Sequence, residues 1–151
     1  MSARVDRDRF LRRAAIAFAI GYSVHALDHL RRGLTAAPPR VLVVGTIQGV
    51  LVAIAIRMVL IGRPRAARAA MLIGFGSALL FTYGHLVPRV SIDSFVTAPD
   101  PSVTWFSWVT AVAEIGTGII VGIAGARSAR SAGLVSKRGL SRAGSGHAGT
   151  P

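Results

Sequence analysis

Ionisable side chains interrupt otherwise apolar stretches of this sequence, and their types are those that bind metal ions. His25, Asp28 and His29 fall in the first stretch, His85 in the third and Glu114 in the fourth. Neutral imidazoles and carboxylates are ligands for zinc, iron, copper and manganese. Two histidines four residues apart share one face of a helix and can bind one ion together. The pattern predicts a metal site built from several helices.

We expect four side chains to bind the ion directly: His25, His29, His85 and Glu114. Asp28 would hydrogen-bond a ring N–H of one ligand, or would compete as a ligand itself. A haem is the alternative cofactor, with His25 and His85 as its axial ligands. A c-type attachment is excluded because the sequence has no cysteine. The cofactor is thus predicted to be a transition metal or a haem.

The same residues also have a purely structural interpretation. Asp28 precedes Arg31 and Arg32 by three and four residues, the spacing of ion pairs on a helix surface. His29 and His85 lie near a predicted membrane interface, where an amphipathic ring reaches water without any functional role. The spacing alone leaves both interpretations open.

Four long apolar stretches must position these groups: Ala14–Leu30, Val41–Ile61, Ala66–Val87 and Val103–Ala126. Each is close to the roughly 20 residues that a helix needs to cross about 30 Å of hydrocarbon. Residues 41–56 and 69–80 carry no charge on any face, whereas a helix of a soluble bundle has a charged face. The sequence therefore predicts an all-α, integral membrane four-helix bundle.

We predict a single domain at residues 1–127, with spanning helices at about 13–32, 41–61, 66–87 and 103–126. The sequence Gly62-Arg63-Pro64 predicts a tight turn between the second and third helices. Residues 128–151 are rich in Gly, Ser, Ala and Arg and cannot bury much apolar surface. We therefore expect them to form a disordered basic tail.

The basic residues predict the orientation. Thirteen of the 18 lie before the first helix, around the second connection or after the last helix. The other two connections hold four, namely Arg31, Arg32, Arg40 and Arg89. Because cytoplasmic loops carry the excess of Lys and Arg, both termini are predicted to be cytoplasmic. The protein is then a multi-pass protein of a bacterial cytoplasmic (inner) membrane, with loops 31–40 and 88–102 outside.

Counting helical rise places the polar groups at similar depths. His85, His25, Gln48 and Glu114 fall about 6, 9, 12 and 13 Å from the outer ends of their helices. Alternate helices run in opposite directions, so an arbitrary placement would scatter such groups over both halves of the membrane. Their common depth predicts one shared site in the outer half of the bundle.

The net charge of +12 does not indicate nucleic-acid binding, because the basic residues lie in the termini and loops rather than in a groove. Small residues recur at fourfold spacing in two helices: Gly45, Gly49 and Ala53, then Gly118, Gly122 and Ala126. Such ridges pack helices closely within a bundle or against a partner. The expected partners are the lipid bilayer and a homo-oligomer or larger membrane complex.

Three functions remain open. The first is a metal- or haem-binding membrane protein with its site in the outer half of the bundle. The second is a small transporter coupled to protons or cations through Glu114, with the region of Gln48 lining the path. The third is a non-catalytic subunit or assembly partner of a larger complex. We recognise no catalytic residues, because no serine lies in a nucleophile-elbow context, and an enzyme is the less favoured class.

Overall fold

The structure, a computed structural model, describes residues 2–33, 38–87, 94–96 and 101–144, with side chains described for 5–33, 38–87, 94–96 and 101–131. The elements are α1 (Ser2–Arg32), α2 (Pro39–Leu60), α3 (Ala66–Phe81), a π-helical turn (Thr82–Leu86) and α4 (Trp105–Gly144). No strand occurs in these ranges. The prediction of an all-α fold with four helices is confirmed.

The outward faces of the helices are largely apolar, and the interior holds polar side chains beside an apolar core. Asp28, Ser77 and Glu114 are fully buried, as is Phe18 of the apolar core, whereas Leu79 is 73% exposed. A helix of a bundle in water instead has a charged outward face. Three helical segments are long and apolar enough to cross a membrane: Pro39–Leu60, Ala66–Leu86 and Trp105–Ser131. They match three of the four predicted spans.

α1 does not belong to that set of apolar segments. Its apolar stretch is interrupted by His25, Asp28 and His29 and is flanked by arginines, which lowers its hydropathy. Its exposed side chains over the same length are nevertheless apolar apart from Ser23: Ile16, Ile20, Leu27 and Leu30. The ionisable residues His25 and Asp28 are buried against the other helices.

The two ends of the chain differ from the prediction. α1 begins at Ser2, well before residue 13, and α4 continues to Gly144. The predicted disordered tail does not hold for residues 128–144, which are helical, while residues 145–151 lie outside the described part. Poor burial argues against packing but not against a helix, and Ala, Arg, Leu and Lys favour helices. Arg7 also donates a hydrogen bond to Ser131, which joins the two extensions.

Glycines allow α3 and α4 to pack backbone against backbone. A Cβ atom added to Gly74 would lie 2.6 Å from the carbonyl oxygen of Gly118, and one added to Gly125 would lie 2.5 Å from the backbone nitrogen of Met71. Without a hydrophobic drive between helices in lipid, such close approach is a main source of packing energy. The small residues of α4 therefore face α3 inside the chain.

Replacing Gly74 with leucine is expected to lower the free energy of unfolding by about 3 kcal/mol or more, because the side chain must force two backbones apart. Thermal unfolding in detergent, followed by the fluorescence of Trp105 and Trp108, measures the effect. Gly76→Leu is the matched control, since no heavy atom lies within 4 Å of a Cβ added at Gly76. Equal stability of the two variants would contradict this account of the α3–α4 contact.

Candidate metal centre

His25 of α1 and His85 of the π-helical turn meet in the interior of the bundle. Their Nε2 atoms are 3.1 Å apart, and the two residues are 2% and 3% exposed. His29 lies one turn after His25, and one ring nitrogen of each of the three histidines lies within 4.8 Å of the others. The structure thus brings three of the four predicted ligands into one cluster.

A π-helical turn presents His85 to α1. The turn covers Thr82–Leu86, at the end of α3, and turns of this type frequently occur at functional sites. The backbone carbonyl of His85 accepts a 3.0 Å hydrogen bond from the backbone N–H of Phe95. The Phe95 ring stacks on the imidazole of His85, with 4.5 Å between ring centroids. Phe95 is therefore a supporting residue of the site that the sequence did not predict.

The carboxyl group of Glu114 approaches the cluster from α4. Its Oε2 atom is 3.8 Å from Nε2 of His25, and the side chain is fully buried. Neither carboxyl oxygen has a hydrogen-bond partner among the residues that the structure describes. Burying a polar group without a hydrogen-bond partner costs free energy, so we expect this carboxyl group to bind a partner. Glu114 is thus the fourth predicted ligand at the same place.

The hydrogen bonds of Thr110 fix the tautomer of His25. The Thr110 hydroxyl donates its one proton to the carbonyl oxygen of Ser107, at 3.0 Å. Its oxygen must then accept from Nδ1 of His25, 3.3 Å away. The neutral ring therefore carries its proton on Nδ1, and the lone pair of Nε2 faces His85 and Glu114. Metal-binding histidines are commonly held in this way, with the second ring nitrogen donating to a neighbouring acceptor.

His29 is held in the other tautomer. A guanidinium nitrogen of Arg32, Nη2, lies 2.9 Å from Nδ1 of His29. Guanidinium groups only donate, so Nδ1 accepts and the neutral ring carries its proton on Nε2. A ring nitrogen that carries a proton cannot bind a metal ion. Nε2 of His85 must likewise carry a proton, because it donates the 3.1 Å hydrogen bond to the lone pair on Nε2 of His25. Of the three rings, only His25 therefore has an unprotonated Nε2 in this arrangement, and His29 can expose that lone pair only by giving up the hydrogen bond from Arg32.

Asp28 pairs with arginines rather than with a histidine ring. Its Oδ1 atom is 2.8 Å from Nη2 of Arg31, and its Oδ2 atom is 3.4 Å from Nε of Arg32. These are the (i, i+3) and (i, i+4) pairs of the structural interpretation. Asp28 is therefore not placed as the predicted partner of a ring N–H. Its link to His29 is indirect, because Arg32 contacts both residues. The guanidinium of Arg32 also lies over the Phe95 ring, 5.3 Å from the ring centroid.

Gln48 lies apart from the histidines. Its side chain donates a hydrogen bond to the hydroxyl of Ser77 and joins α2 to α3. The hydroxyl of Tyr22, on α1, donates to the carbonyl oxygen of Gly45 at 2.8 Å and joins α1 to α2. The predicted polar residue of the second helix therefore serves helix packing here.

A cavity of about 600 Å³ opens beside the histidines, between α1, the first half of α2 and the end of α3. His25, His29 and His85 form part of its wall, and Arg40 also lines it. The remaining wall is mainly apolar. The cluster is thus buried in the bundle but borders a space large enough for a small molecule.

Some supporting residues had a signal in the sequence and others did not. Ser107, Thr110 and Glu114 follow one another at spacings of three and four, which indicates a common helix face. Nothing in the sequence pointed to Phe95, or to the contact between Arg32 and His29. Comparisons with models of protein families, with curated proteins and with solved structures found no match for this chain.

Proposed function

We propose that this protein is a membrane protein of four spanning helices that binds a transition-metal ion between His25, His85 and Glu114. The observation that carries the proposal is the convergence of two imidazoles and a buried carboxyl group from three different elements. An ion bonded to Glu114 would supply the partner that its carboxyl group lacks among the described residues. Mixed imidazole and carboxylate sites of this kind suit zinc, iron and manganese.

Distances favour a bare ion over a haem. Two nitrogens bound to one tetrahedral zinc ion lie about 3.3 Å apart, since each bond is about 2.0–2.1 Å long. The corresponding atoms of His25 and His85 are 3.1 Å apart. Axial ligands of a haem would be about 4 Å apart, twice a metal–nitrogen bond, with the porphyrin ring between them. The spacing of this pair leaves no room for that ring.

The proposal that the helices span a membrane is supported by the apolar side chains on their outward faces. α1 joins the three apolar segments as a fourth span in this proposal, because its exposed residues between Ile16 and Leu30 are apolar apart from Ser23. The distribution of arginines supports cytoplasmic termini in a bacterial inner membrane. In that orientation the histidines lie in the outer half of the bundle, and Arg40 lies at the outer boundary.

Three protein ligands leave one position open in a tetrahedral site. Sites with an open position bind a water molecule or a substrate there, whereas closed sites are structural. The cavity borders the histidines, so the open position would be reached from it. This arrangement favours a site that exchanges or presents its ion over one that only holds the fold together.

Purified protein in mild detergent should bind about one zinc or cobalt ion per chain. Elemental analysis measures the stoichiometry, and the visible spectrum of the cobalt form reports tetrahedral coordination. The absorption spectrum of protein isolated from cells should contain no Soret band. His147→Ala, a variant of the remaining histidine in the sequence, is the control and should bind the ion unchanged. Protein that binds neither ion at micromolar concentration would overturn the proposal.

A further inference from the structure

The cavity beside the histidines is of the size that binds a small molecule. Its volume is about 600 Å³, within the usual range of ligand sites. It extends along α2 from Arg40 to Gly49, a helical rise of about 13 Å. The space is therefore long enough to hold part of an extended chain.

The chemistry of the wall differs between its two ends. Apolar side chains make up most of the wall, including Leu80 on α3 about 7 Å deeper than His85, while Arg40 lies at the outer end. No acidic side chain belongs to the described lining. A guanidinium near imidazoles complements an anionic group, and the apolar wall complements a hydrocarbon chain.

We propose that the cavity binds an anionic single-chain amphiphile, with its headgroup between Arg40 and the histidines and its chain along α1 and α2. The inference rests on the proposed function in one respect, because the bound ion would add a second positive charge near the headgroup. A carboxylate from a fatty acid and a phosphate from a lipid share this chemistry. The two sources are separated by the probes used below.

Gly45 offers a way to fill the cavity without disturbing the helices. It lines the cavity on α2, and no heavy atom lies within 4 Å of a Cβ added there. In Gly45→Phe the ring would occupy the space of the chain, while the backbone carbonyl would still accept from Tyr22. Gly76→Phe is the matched control, since Gly76 is equally open but lies outside the cavity lining.

Native mass spectrometry of the full chain released from detergent micelles tests the proposal, with dodecanoate, dodecyl phosphate and dodecanol as probes. Both anions should give one adduct per chain, and dodecanol should give at least about fivefold less. Gly45→Phe should lower the anion adducts at least about fivefold, whereas Gly76→Phe should behave as wild type. Arg40→Gln should remove the preference for anions over dodecanol. Preference for one anion identifies the headgroup source.

Two results would overturn the proposal: undiminished adducts in Gly45→Phe, or equal binding of dodecanol and the anions by wild-type protein. Zinc stoichiometry measured on the same samples keeps the two proposals apart. If the wild-type protein binds zinc but forms no amphiphile adduct, only the proposal of a cavity ligand is overturned. If it forms adducts but binds no zinc, only the proposed metal centre is overturned.

Discussion

Alanine at position 85 is expected to lower the affinity for zinc or cobalt by about 100-fold or more. His85 supplies one of two imidazoles at the proposed ion, and its Nε2 lies 3.1 Å from that of His25. Loss of a residue that merely orients a ligand typically costs 10–100-fold in metal affinity, so loss of a ligand should cost at least as much. Competition titration against a chelator of known affinity measures the change.

A comparison among the histidines sharpens this test. His25→Ala should match His85→Ala, because both rings belong to the pair. His29→Ala should cost less, because Nε2 of His29 can bind an ion only if the ring gives up the hydrogen bond that its Nδ1 accepts from Arg32. His147→Ala should have no effect. If His25→Ala, His85→Ala and His29→Ala lower the metal affinity equally, then Arg32 releases His29 and His29 also binds the ion. If none of the three lowers the affinity, the proposed metal centre is wrong.

Replacing Glu114 with leucine is expected to stabilise the protein without metal and to abolish its stabilisation by metal. The carboxyl group is fully buried with no hydrogen-bond partner among the described residues, an arrangement that costs about 1–3 kcal/mol. An apolar side chain of similar size removes that cost. In wild type, free zinc at 100 times its dissociation constant should add about 2.7 kcal/mol to the free energy of unfolding.

Thermal unfolding with excess zinc and with chelator measures both parts of this prediction. Glu114→Gln is the matched control, because the carboxamide keeps the size and polarity of the side chain. It should lose most of the zinc response yet gain no stability, since its polar atoms also need partners. A Glu114→Leu variant that is less stable than wild type under chelation would show that the carboxyl group stabilises the empty bundle.

The sequence predicted the depth of the site better than its internal contacts. Helical rise alone placed His25, His85 and Glu114 within about 7 Å of one another in depth, because the rise per residue is nearly constant whatever the surroundings. Which face each helix turns inward is also encoded, since the ionisable side chains within the apolar stretches of α1 and α4 avoid the outer surface. The three groups consequently meet in the structure.

Other features depend on contacts between distant segments, which periodicity does not encode. The π-helical turn that carries His85 adds a residue to one helical turn and rotates the ring relative to an α-helical continuation. Asp28 had two acceptable partners by spacing, a histidine ring or the following arginines. The structure places Asp28 beside both arginines, which agrees with the stronger attraction of a carboxylate to a guanidinium than to a neutral ring.

α2 supplies one wall of the cavity but none of the proposed ligands. All proposed ligands belong to α1, α4 and the π-helical turn, and α3 and α4 are locked together at Gly74 and Gly118. α2 is tied to these helices by hydrogen bonds from Tyr22 and Gln48, and Gly62, in the left-handed backbone region, joins it to α3. A small swing of α2 about that joint would widen the entrance while coordination stayed intact. Opening of the cavity would thereby leave the positions of the ligands unchanged.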